Sequence, residues 1–476
     1  MRWAVLATAA LGSACSTDSG PGGVNAGTGG TAAGASGSSG TSGSNGGVGG
    51  GSGASGSSGA SGSSGGGSAG SAGMGASGGG GGAGATSGGA GSGGGGQGGS
   101  GGGQAGGGSG GMGGTGGMSG SSGSGGGGQA GGGSGGGGPL PETAYVFLGG
   151  AEGNTGVVAL YSLTYATAEL TLEKRVDVGQ NGSFVAVDAA GSALYVADDN
   201  GRRVRRLTLD AATWEPSVGN DQASSGEPVH IAVSSDGAFV MTAQYNQGSV
   251  EVFGVSGGML GASLGTQSPG SQAHQVVLSP EEDYLFVPCK GADRIERYAF
   301  NKATGALSAP MSTATGSGAG PRHLAFAPGG AFAYLINELN NTVYAYSYAA
   351  GALTELQQIT SLPDGFNGSS TGAEIVVSPS GSDVYASNRP QGQDGTIAQF
   401  RVGADGRLTA NGHRATGGRT PRSFAIDPTG RMVIAGNLDS SSVGLMAVDG
   451  ETGELGAAKV INLPFRPWYV GIFLPE

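Results

Sequence analysis

Charged side chains that can bind anionic groups or transfer protons recur at fixed positions of a repeated unit in the C-terminal two-thirds of the chain. Arg322 and Arg422 each stand one residue before the position on which the repeats align, and Glu338 and Arg389 stand fifteen residues after it. A guanidinium binds a carboxylate, a phosphate or a developing oxyanion through paired hydrogen bonds. A carboxylate beside such groups, together with histidine, can move protons. These residue types indicate a site for an anionic ligand with acid/base chemistry.

The alignment position itself contributes histidine. It is occupied by Phe184, His230, His274, His323, Glu374 and Ser423, at spacings of 46, 44, 49, 51 and 49 residues, with a degenerate seventh copy at Tyr469. Each copy contains an alternating apolar run, a Pro/Gly turn and a second apolar run. A four-stranded unit of this length is typical of a β-propeller blade. Because a propeller gathers equivalent loops around one channel mouth, the repeat predicts that these side chains share a site.

Hairpins centred on the turn glycines would position the charged residues. Arg322 stands eight residues before Gly330, and Glu338 stands eight residues after it. The same count predicts three facing pairs, which are Arg322 with Glu338, Ala373 with Arg389, and Arg422 with Leu438. We therefore expect three arginines, one or two histidines and a carboxylate at one end of the channel.

The number of blades follows from the two ends of the repeat region. Six blades have complete hairpins, from Phe184 to Ser423, and residues 144–163 supply outer strands of a further blade that lacks an inner strand. The C-terminal FRPWYVGIFLP, residues 465–475, can supply the missing strand. Closure of the ring removes exposed sheet edges. The sequence thus predicts an all-β, seven-bladed β-propeller over residues 139–476.

A long tract before the propeller has a different composition. Of 476 residues, 110 are glycine, and most lie between residues 16 and 138, where Asp18 is the only charged residue. Such a segment has too little side chain to offset its ordering entropy, so we expect a disordered Gly/Ser-rich tether. The formal charge of −12 belongs to the propeller and argues against nucleic acid as a partner.

The first fifteen residues, MRWAVLATAALGSAC, combine one positive charge, a short apolar run and small residues before Cys15. This composition is typical of an export signal, and the run is too short to span a bilayer. The segment also resembles a bacterial lipoprotein signal, in which the cysteine is lipidated. We therefore expect an exported protein, anchored to a membrane through lipid on Cys15, in the periplasm or on the cell surface. Cleavage as an ordinary secretory peptide is the alternative.

Other site chemistries find no support in the sequence. The four histidines show no HxH or HExxH spacing, and Cys289 is the one cysteine besides Cys15, so we predict neither a metal site nor a cofactor. No GxSxG motif between a strand and a helix supports a serine nucleophile. The chemistry that the residues do support is acid/base catalysis by His and Glu, with electrostatic stabilisation by arginine.

Several motifs together resemble one family. GPRHLAFAPGG, LINELNNTV, ASNRP, GGRTPRSFAIDPTG and LPDGF are similar to the lactonase family of seven-bladed propellers, which includes propeller-type 6-phosphogluconolactonases and fungal carboxy-muconate lactonising enzymes. The resemblance covers about residues 141–476 and implies a metal-free site at the channel mouth that opens or forms a lactone. It assigns catalytic roles to His274, Arg322, Glu338 and Arg389. Substrate-binding roles are expected for Arg422, Asn337, Asn388, Asn437 and His230.

The chain departs from that family at pocket positions. Gln272 replaces a histidine, Cys289 replaces an aspartate and Gln244 replaces an asparagine. These changes bear on the substrate more than on the fold. The first hypothesis is hydrolysis of a sugar or small carboxylic lactone, with a small anionic lactone or aldonate as ligand and with His274 or Glu338 as general base and the other as acid. The alternative is a non-catalytic cell-surface propeller that binds an anionic glycan or a protein partner.

Overall fold

The computed structural model describes residues 141–474. The predictions for the signal segment 1–15, for Cys15 and for the tether 16–138 lie outside the described residues. Within residues 141–474 the only helical segments are two single 3-10 turns, Lys290–Ala292 and Leu438–Ser440. None of the helical structure in this range has the length and apolar character that crossing a bilayer requires.

Twenty-eight strands in the described range form seven four-stranded antiparallel sheets, which confirms the predicted seven-bladed β-propeller. Blade one contains β1 (Thr143–Glu152), β2 (Thr155–Thr164), β3 (Glu169–Asp177) and β28 (Arg466–Phe473). Blade two contains β4 (Gly182–Val187), β5 (Ala193–Asp198), β6 (Arg203–Leu209) and β7 (Pro216–Ala223). Blade three contains β8 (Pro228–Val233), β9 (Phe239–Gln244), β10 (Ser249–Ser256) and β11 (Met259–Gln267).

The remaining four blades follow in chain order, each as one complete sheet. Blade four contains β12 (Val277–Leu278), β13 (Tyr284–Cys289), β14 (Arg294–Ala299) and β15 (Met311–Ala314). Blade five contains β16 (Pro321–Phe326), β17 (Phe332–Asn337), β18 (Thr342–Ala349) and β19 (Ala352–Thr360). Blade six contains β20 (Ser370–Val377), β21 (Asp383–Pro390), β22 (Thr396–Val402) and β23 (Leu408–Ala415). Blade seven contains β24 (Pro421–Ile426), β25 (Met432–Asn437), β26 (Ser442–Ala447) and β27 (Lys459–Asn462).

Blade one closes the ring as predicted. Strand β28 pairs antiparallel with β1, with Tyr145 opposite Phe473 at one end and Ala151 opposite Arg466 at the other. The sheet order β28-β1-β2-β3 makes the C-terminal strand the inner strand of the blade that begins the described chain. Residues more than 300 positions apart in sequence therefore share one hydrogen-bonded sheet.

Apolar cores lie between adjacent blades. The second strands are buried on both faces, as in β5, whose ALYVAD residues are all buried, whereas outer strands such as β3 are largely exposed. One core combines Tyr334 and Ile336 of blade five with Val384 and Phe400 of blade six. Fully burying such side chains contributes about 1.5–3 kcal/mol each. The blades therefore hold one another in place and fix the geometry of the channel mouth.

The inner strands share a β-bulge, which shifts the strand register away from the predicted one. The pairing β16–β17 places Pro321 opposite Asn337 and then His323 opposite Ile336, so Arg322 is an extra, bulged residue. Arg322 therefore has no direct partner in the ladder, because a bulge inserts one unpaired residue, but Arg322 and Glu338 do lie side by side at one end of the blade, as predicted. The predicted pairs Ala373–Arg389 and Arg422–Leu438 are wrong for the same reason, since the observed partners are Thr371 with Arg389 and Pro421 with Asn437.

The bulge recurs around the ring at the same place in the inner strand. The register shifts in the same way in five further blades, which are one, two, three, six and seven. Together with Arg322, the extra residues of blades two, three, seven and one are Ser183, Val229, Arg422 and Trp468. All five of these side chains line one small cavity at the axis of the ring. The irregularity therefore brings the bulged residue of each of these five blades to the channel, beside the residues that follow it.

Candidate active site

Glu338 lies among four basic side chains at the channel mouth. Its Oε2 atom is 3.2 Å from Arg322 Nε and 3.4 Å from Arg389 Nη2. Its Oε1 atom is 2.8 Å from Lys290 Nζ, and His274 Nε2 lies 4.0 Å from Oε2. Blades four, five and six therefore bring together His274, Arg322, Glu338 and Arg389, the four residues for which the sequence predicts catalytic roles.

The charges around Glu338 fix its protonation state. Burial alone raises the pKa of this carboxyl, but Arg322, Arg389 and Lys290 outweigh burial and lower the pKa to about 2. Burial, with the charges of Arg422 and Arg389, lowers the pKa of Arg322 to about 9, so this guanidinium is still protonated at neutral pH. Glu338 is thus a carboxylate over the whole neutral range and has no proton to donate there.

His274 is the buried imidazole of the cluster. Burial and the nearby charge of Arg322 hold its pKa well below 6.5, so the ring is neutral at neutral pH. The ring packs edge-on against Tyr245 at 5.6 Å, and its Nδ1 atom has no hydrogen-bond partner among residues 141–474. A neutral imidazole next to a fixed carboxylate can accept a proton, because the carboxylate stabilises the imidazolium that forms.

Two arginines of the cluster retain unused donors. Arg322 Nη1 donates to Ala373 O at 2.5 Å, and Arg389 Nη2 donates to Gly372 O at 2.7 Å. The Nε atoms of both side chains are buried and have no hydrogen-bond acceptor within the described range. Arg322 Nε lies at ion-pair distance from Glu338 without hydrogen-bond geometry. Unpaired buried donors are costly, so these groups are suited to an acceptor oxygen of a ligand.

A second buried pair lies beside His274. His323 Nδ1 is 2.6 Å from Glu374 Oε1, and the His274 and His323 rings are 5.1 Å apart. Burial raises the pKa of Glu374 to about 7, although Arg322 and His230 oppose that rise. Burial also holds the pKa of His323 well below 6.5. Below about pH 7 the carboxyl therefore tends to hold the shared proton, while His323 is neutral.

Glu374→Gln tests this pair through the pH dependence of unfolding. Since the folded pKa of Glu374 lies above the ordinary value of 4.5, its contribution to stability is complete below about pH 4.5 and is lost as pH rises through about 7. We expect the melting temperature of the wild type to fall relative to that of the variant across this window. Glu355→Gln, at an exposed position, is the control for loss of one negative charge. A constant difference from pH 4.5 to 7.5 would contradict the assignment.

The channel beneath the mouth is almost filled. His274, Arg322, His323 and Glu374 line a cavity of about 10 Å³ together with residues that the bulges bring inward. The Arg422 guanidinium, which also lines it, stacks on the Trp468 ring at 4.5 Å. This cavity is close to the space that one water molecule needs, roughly 10–15 Å³, and cannot hold a lactone ring.

The other predicted ligand-binding residues divide into two groups. Arg422 lines the small cavity, and the His230 ring stacks on Phe184 at 3.9 Å within the same channel. By contrast, three asparagines, which are Asn337, Asn388 and Asn437, are buried and their amides bond to protein groups. Their amides donate to Thr342 Oγ1, Ser361 O and Thr416 O. This geometry favours a role in holding blade loops, so the proposal below does not include the asparagines.

The structure also adds residues that the sequence did not single out. Lys290 bonds Glu338 and also donates to the Tyr245 hydroxyl at 3.0 Å, because the short 3-10 turn after β13 carries it into the mouth. In the sequence, Lys290 directly follows Cys289, which occupies the repeat position that Glu338 and Arg389 hold in the next two blades. That placement is the signal that could have predicted Lys290 at the mouth. Cys289 is instead fully buried in an apolar core, where burial raises the pKa of its thiol to about 12. Cys289 is therefore a packed, inert cysteine, and this altered position lies in the core between blades three and four and not at the mouth.

The described residues were also compared with the side-chain groupings that bind metal ions. Within residues 141–474, no three or more His, Cys, Asp or Glu side chains form a group that could hold a metal ion. The cluster at the mouth is dominated instead by cations around a single carboxylate.

Fold and site together define a seven-bladed propeller with a cationic, histidine-containing channel mouth. A family model described as "Lactonase, 7-bladed beta-propeller" matches residues 145–464, and the chain belongs to this family. It is 32% identical over 337 residues to the 6-phosphogluconolactonase of Bacillus subtilis, covering 66% of this chain and 94% of that protein. It is also 32% identical over 298 residues to the 6-phosphogluconolactonase of Pectobacterium carotovorum, covering 61% and 87% respectively.

A solved structure shows the same likeness in three dimensions. The structure described as the periplasmic gluconolactonase of Pseudomonas aeruginosa superposes with a TM-score of 0.65 at 26% identity. The match covers 70% of this chain and 99% of that one. The predicted family is confirmed by these comparisons.

Proposed function

We propose that this chain hydrolyses a sugar lactone or a small carboxylic lactone at the channel mouth, with side chains alone and no cofactor. The observation that carries the proposal is the convergence of Arg322, Arg389 and His274 on Glu338 in a member of a lactonase family. Relatives named as lactonases support lactone hydrolysis as the activity. The non-catalytic alternative is not favoured, because those relatives are named as enzymes.

His274 is the general base of the proposed reaction. A water oxygen attacks the lactone carbonyl carbon while His274 takes a proton from that water. The lowered pKa of Glu338 removes it as the acid, so it stabilises the His274 imidazolium by charge instead. The cavity beside His274, large enough for about one water, is suited to the nucleophile.

The arginines stabilise the intermediate. The carbonyl oxygen becomes an oxyanion, and the unused Nε–H groups of Arg389 and Arg322 are donors available for it. When the intermediate collapses, the bond between the carbonyl carbon and the ring oxygen breaks. The imidazolium of His274 then returns its proton to the departing alkoxide. The product is an open hydroxy acid, released as its carboxylate, and His274 is neutral again.

A lactone panel tests this proposal on the full-length chain. Glucono-1,5-lactone, its 6-phosphate and muconolactone are offered, and acid release is followed at constant pH. We expect turnover well above the buffer rate for at least one of them, and Glu338→Gln is expected to lower kcat/KM by roughly 10²-fold. Glu355→Gln is the matched control at an exposed site. Turnover at the buffer rate with every lactone would refute the proposal, and an unchanged rate in Glu338→Gln would remove Glu338 from the mechanism.

We further propose that the enzyme works outside the cytoplasm, tethered through Cys15. The apolar run before Cys15 supports this proposal, and one structural neighbour is described as periplasmic. Because 6-phosphogluconolactone is a cytosolic metabolite, another lactone is then the expected substrate.

Cys15→Ala tests the tether. Wild-type protein is expected to incorporate labelled palmitate and to sediment with membranes, whereas the variant is expected to do neither, because it lacks the acylated thiol. Cys289→Ala is the control for loss of a cysteine. Equal labelling of wild type and Cys15→Ala would contradict lipidation at this residue.

A further inference from the structure

A cavity lies between blades two and three, on the face of the ring opposite the channel mouth. It is lined by the β4–β5 turn, with Asp188 and Ser192, and by the β8–β9 turn, with Ser235 and Asp236. The mouth residues follow the other ends of the second strands, as Glu338 follows β17. The cavity volume is about 340 Å³, within the usual range for small-molecule sites, about 300–1,000 Å³. The cavity is therefore separate from the catalytic cluster.

The cavity is open because the outer turn of blade three is short. In blade six, Tyr385 is the third residue of the second strand, and its hydroxyl donates to Gly453 O of blade seven at 2.8 Å. Tyr195 is likewise the third residue of β5, but β10 and β11 are joined only by Gly257 and Gly258. The Tyr195 hydroxyl makes no such bond to that turn among the described residues. The space that a longer connection fills in blade seven thus stays open here.

Arg206 is a buried cation on the wall of this cavity. It stands opposite Tyr195 in the β5–β6 ladder and is 8% exposed. The preceding residue, Arg205, pairs with Asp198 at 2.8 Å, whereas Arg206 forms no ion pair within residues 141–474. The Nε atom of Arg206 is buried and has no hydrogen-bond acceptor in that range. A buried charge without a partner is destabilising, so this guanidinium is suited to an anionic group of a ligand.

The other polar groups of the inner wall do not neutralise Arg206. Both carboxylate oxygens of Asp188 accept hydrogen bonds from their own turn, through Ser192 N, Ser192 Oγ and Ala193 N. Burial raises the pKa of Tyr195, and Arg206 only partly opposes that rise, so the hydroxyl carries no charge at neutral pH. The guanidinium is therefore available to a group from outside the chain.

The remaining walls indicate which anion fits. Asp236 Oδ1 accepts hydrogen bonds from Ser234 Oγ and Ala238 N, and its Oδ2 atom has no donor among the described residues. Since two aspartates and one arginine line the cavity, a phosphate dianion is disfavoured by repulsion, whereas a ligand that also donates hydrogen bonds suits the Oδ2 atom. The small side chains of Ala190, Ala238 and Val255 leave room for a short aliphatic part.

We propose that this cavity binds a small monocarboxylate whose neighbouring carbon carries a hydroxyl or an ammonium group. Arg206 binds the carboxylate, and Asp236 accepts a hydrogen bond from the neighbouring donor. Hydroxy acids and amino acids both have this chemistry. The site is independent of the reaction proposed for the channel mouth, because it shares no residue with the cluster around Glu338.

Thermal melting of the full-length chain with lactate, alanine or inorganic phosphate tests the site, with sodium chloride at equal ionic strength as the reference. At a concentration roughly tenfold above Kd, lactate or alanine is expected to raise the melting temperature of the wild type by about 2–4 °C more than that of Arg206→Gln. The more effective of the two identifies the donor group. Phosphate is expected to shift both proteins equally. Arg407→Gln, at an exposed arginine outside the cavity, is the matched control and is expected to respond like the wild type.

Melting without added ligand separates this site from a structural role of Arg206. Arg206→Gln is expected to melt at or above the wild-type temperature in sodium chloride, because the substitution removes a buried charge that has no partner. A variant that melts lower by the same amount with and without lactate and alanine would show a structural role only and overturn the site. An Arg206-dependent shift that is larger with phosphate than with either monocarboxylate would overturn the ligand class. None of these readouts depends on lactone turnover, so failure of the hydrolase proposal would leave them unchanged.

Discussion

Replacing His274 by glutamine is expected to lower kcat for lactone hydrolysis by roughly 10²–10⁴-fold, the usual contribution of a general acid–base group. The loss is large because the neutral imidazole is the one proton acceptor of the cluster that also returns the proton. Glu338 cannot replace it, since its pKa of about 2 makes it a very weak base. Initial rates at saturating lactone, with melting temperatures beside them, measure the effect.

The control for this substitution is His413→Gln. His413 lies on the outer strand β23, where its Nε2 is 2.9 Å from Ser361 O, and it does not contact the cluster around Glu338, so its loss is expected to leave kcat unchanged. The pH profile supplies a second readout. Because burial and Arg322 hold the pKa of His274 below 6.5, the acid limb of the wild-type rate is expected below that pH. Full activity in His274→Gln, or an acid limb above pH 7, would assign the base to another group.

Deleting residues 467–476 is expected to unfold the propeller. The deletion removes most of β28, which pairs along β1 and contributes Val470 and Ile472 to the core of blades one and seven. Tyr469 packs against a second core, shared with blade two. Each such side chain contributes about 1.5–3 kcal/mol, against a total stability of about 5–15 kcal/mol. Circular dichroism and thermal melting are expected to show loss of the cooperative transition.

A shorter truncation is the control for this deletion. Removing Pro475 and Glu476 leaves all of β28 in place and is expected to leave the melting temperature close to that of the wild type. If the long deletion also melted like the wild type, closure of the ring by β28 would not contribute to stability.

The fold could be predicted because the repeat is written in local patterns. Alternating apolar runs around glycine turns such as Gly330 define each blade. The first blade lacks an inner strand, and the C-terminal apolar run lacks a blade, so the two ends are predicted to pair. Register could not be predicted in this way. Nothing in the residues around Pro321 and His323 shows that Arg322 is unpaired, because a bulge depends on how neighbouring blades meet at the axis.

The site was predictable in part for the same reason. Equivalent positions in different blades meet at one mouth, so spacing predicted that Glu338, Arg389 and Arg322 lie together, and the family resemblance supplied their catalytic roles. Lys290 was missed because a single lysine after a strand is usually solvated, and its turn into the mouth depends on tertiary packing. The pair of Glu374 with His323 was also missed, because contact between side chains of adjacent inner strands leaves no trace in the spacing of either blade.

The repeated bulge has a consequence for how such a protein can change its ligand. Ser183, Val229, Arg322, Arg422 and Trp468 occupy equivalent, unpaired positions, yet they span a small hydroxyl, an aliphatic group, two cations and an indole. Because these residues lie outside the hydrogen-bonded ladder, evolution can exchange them with little disturbance to the blades. The scaffold thus offers a ring of exchangeable positions. A combinatorial library at Ser183, Val229, Arg422 and Trp468, with the catalytic Arg322 retained and the stacked pair Arg422 and Trp468 varied together, is a direct route to new selectivity.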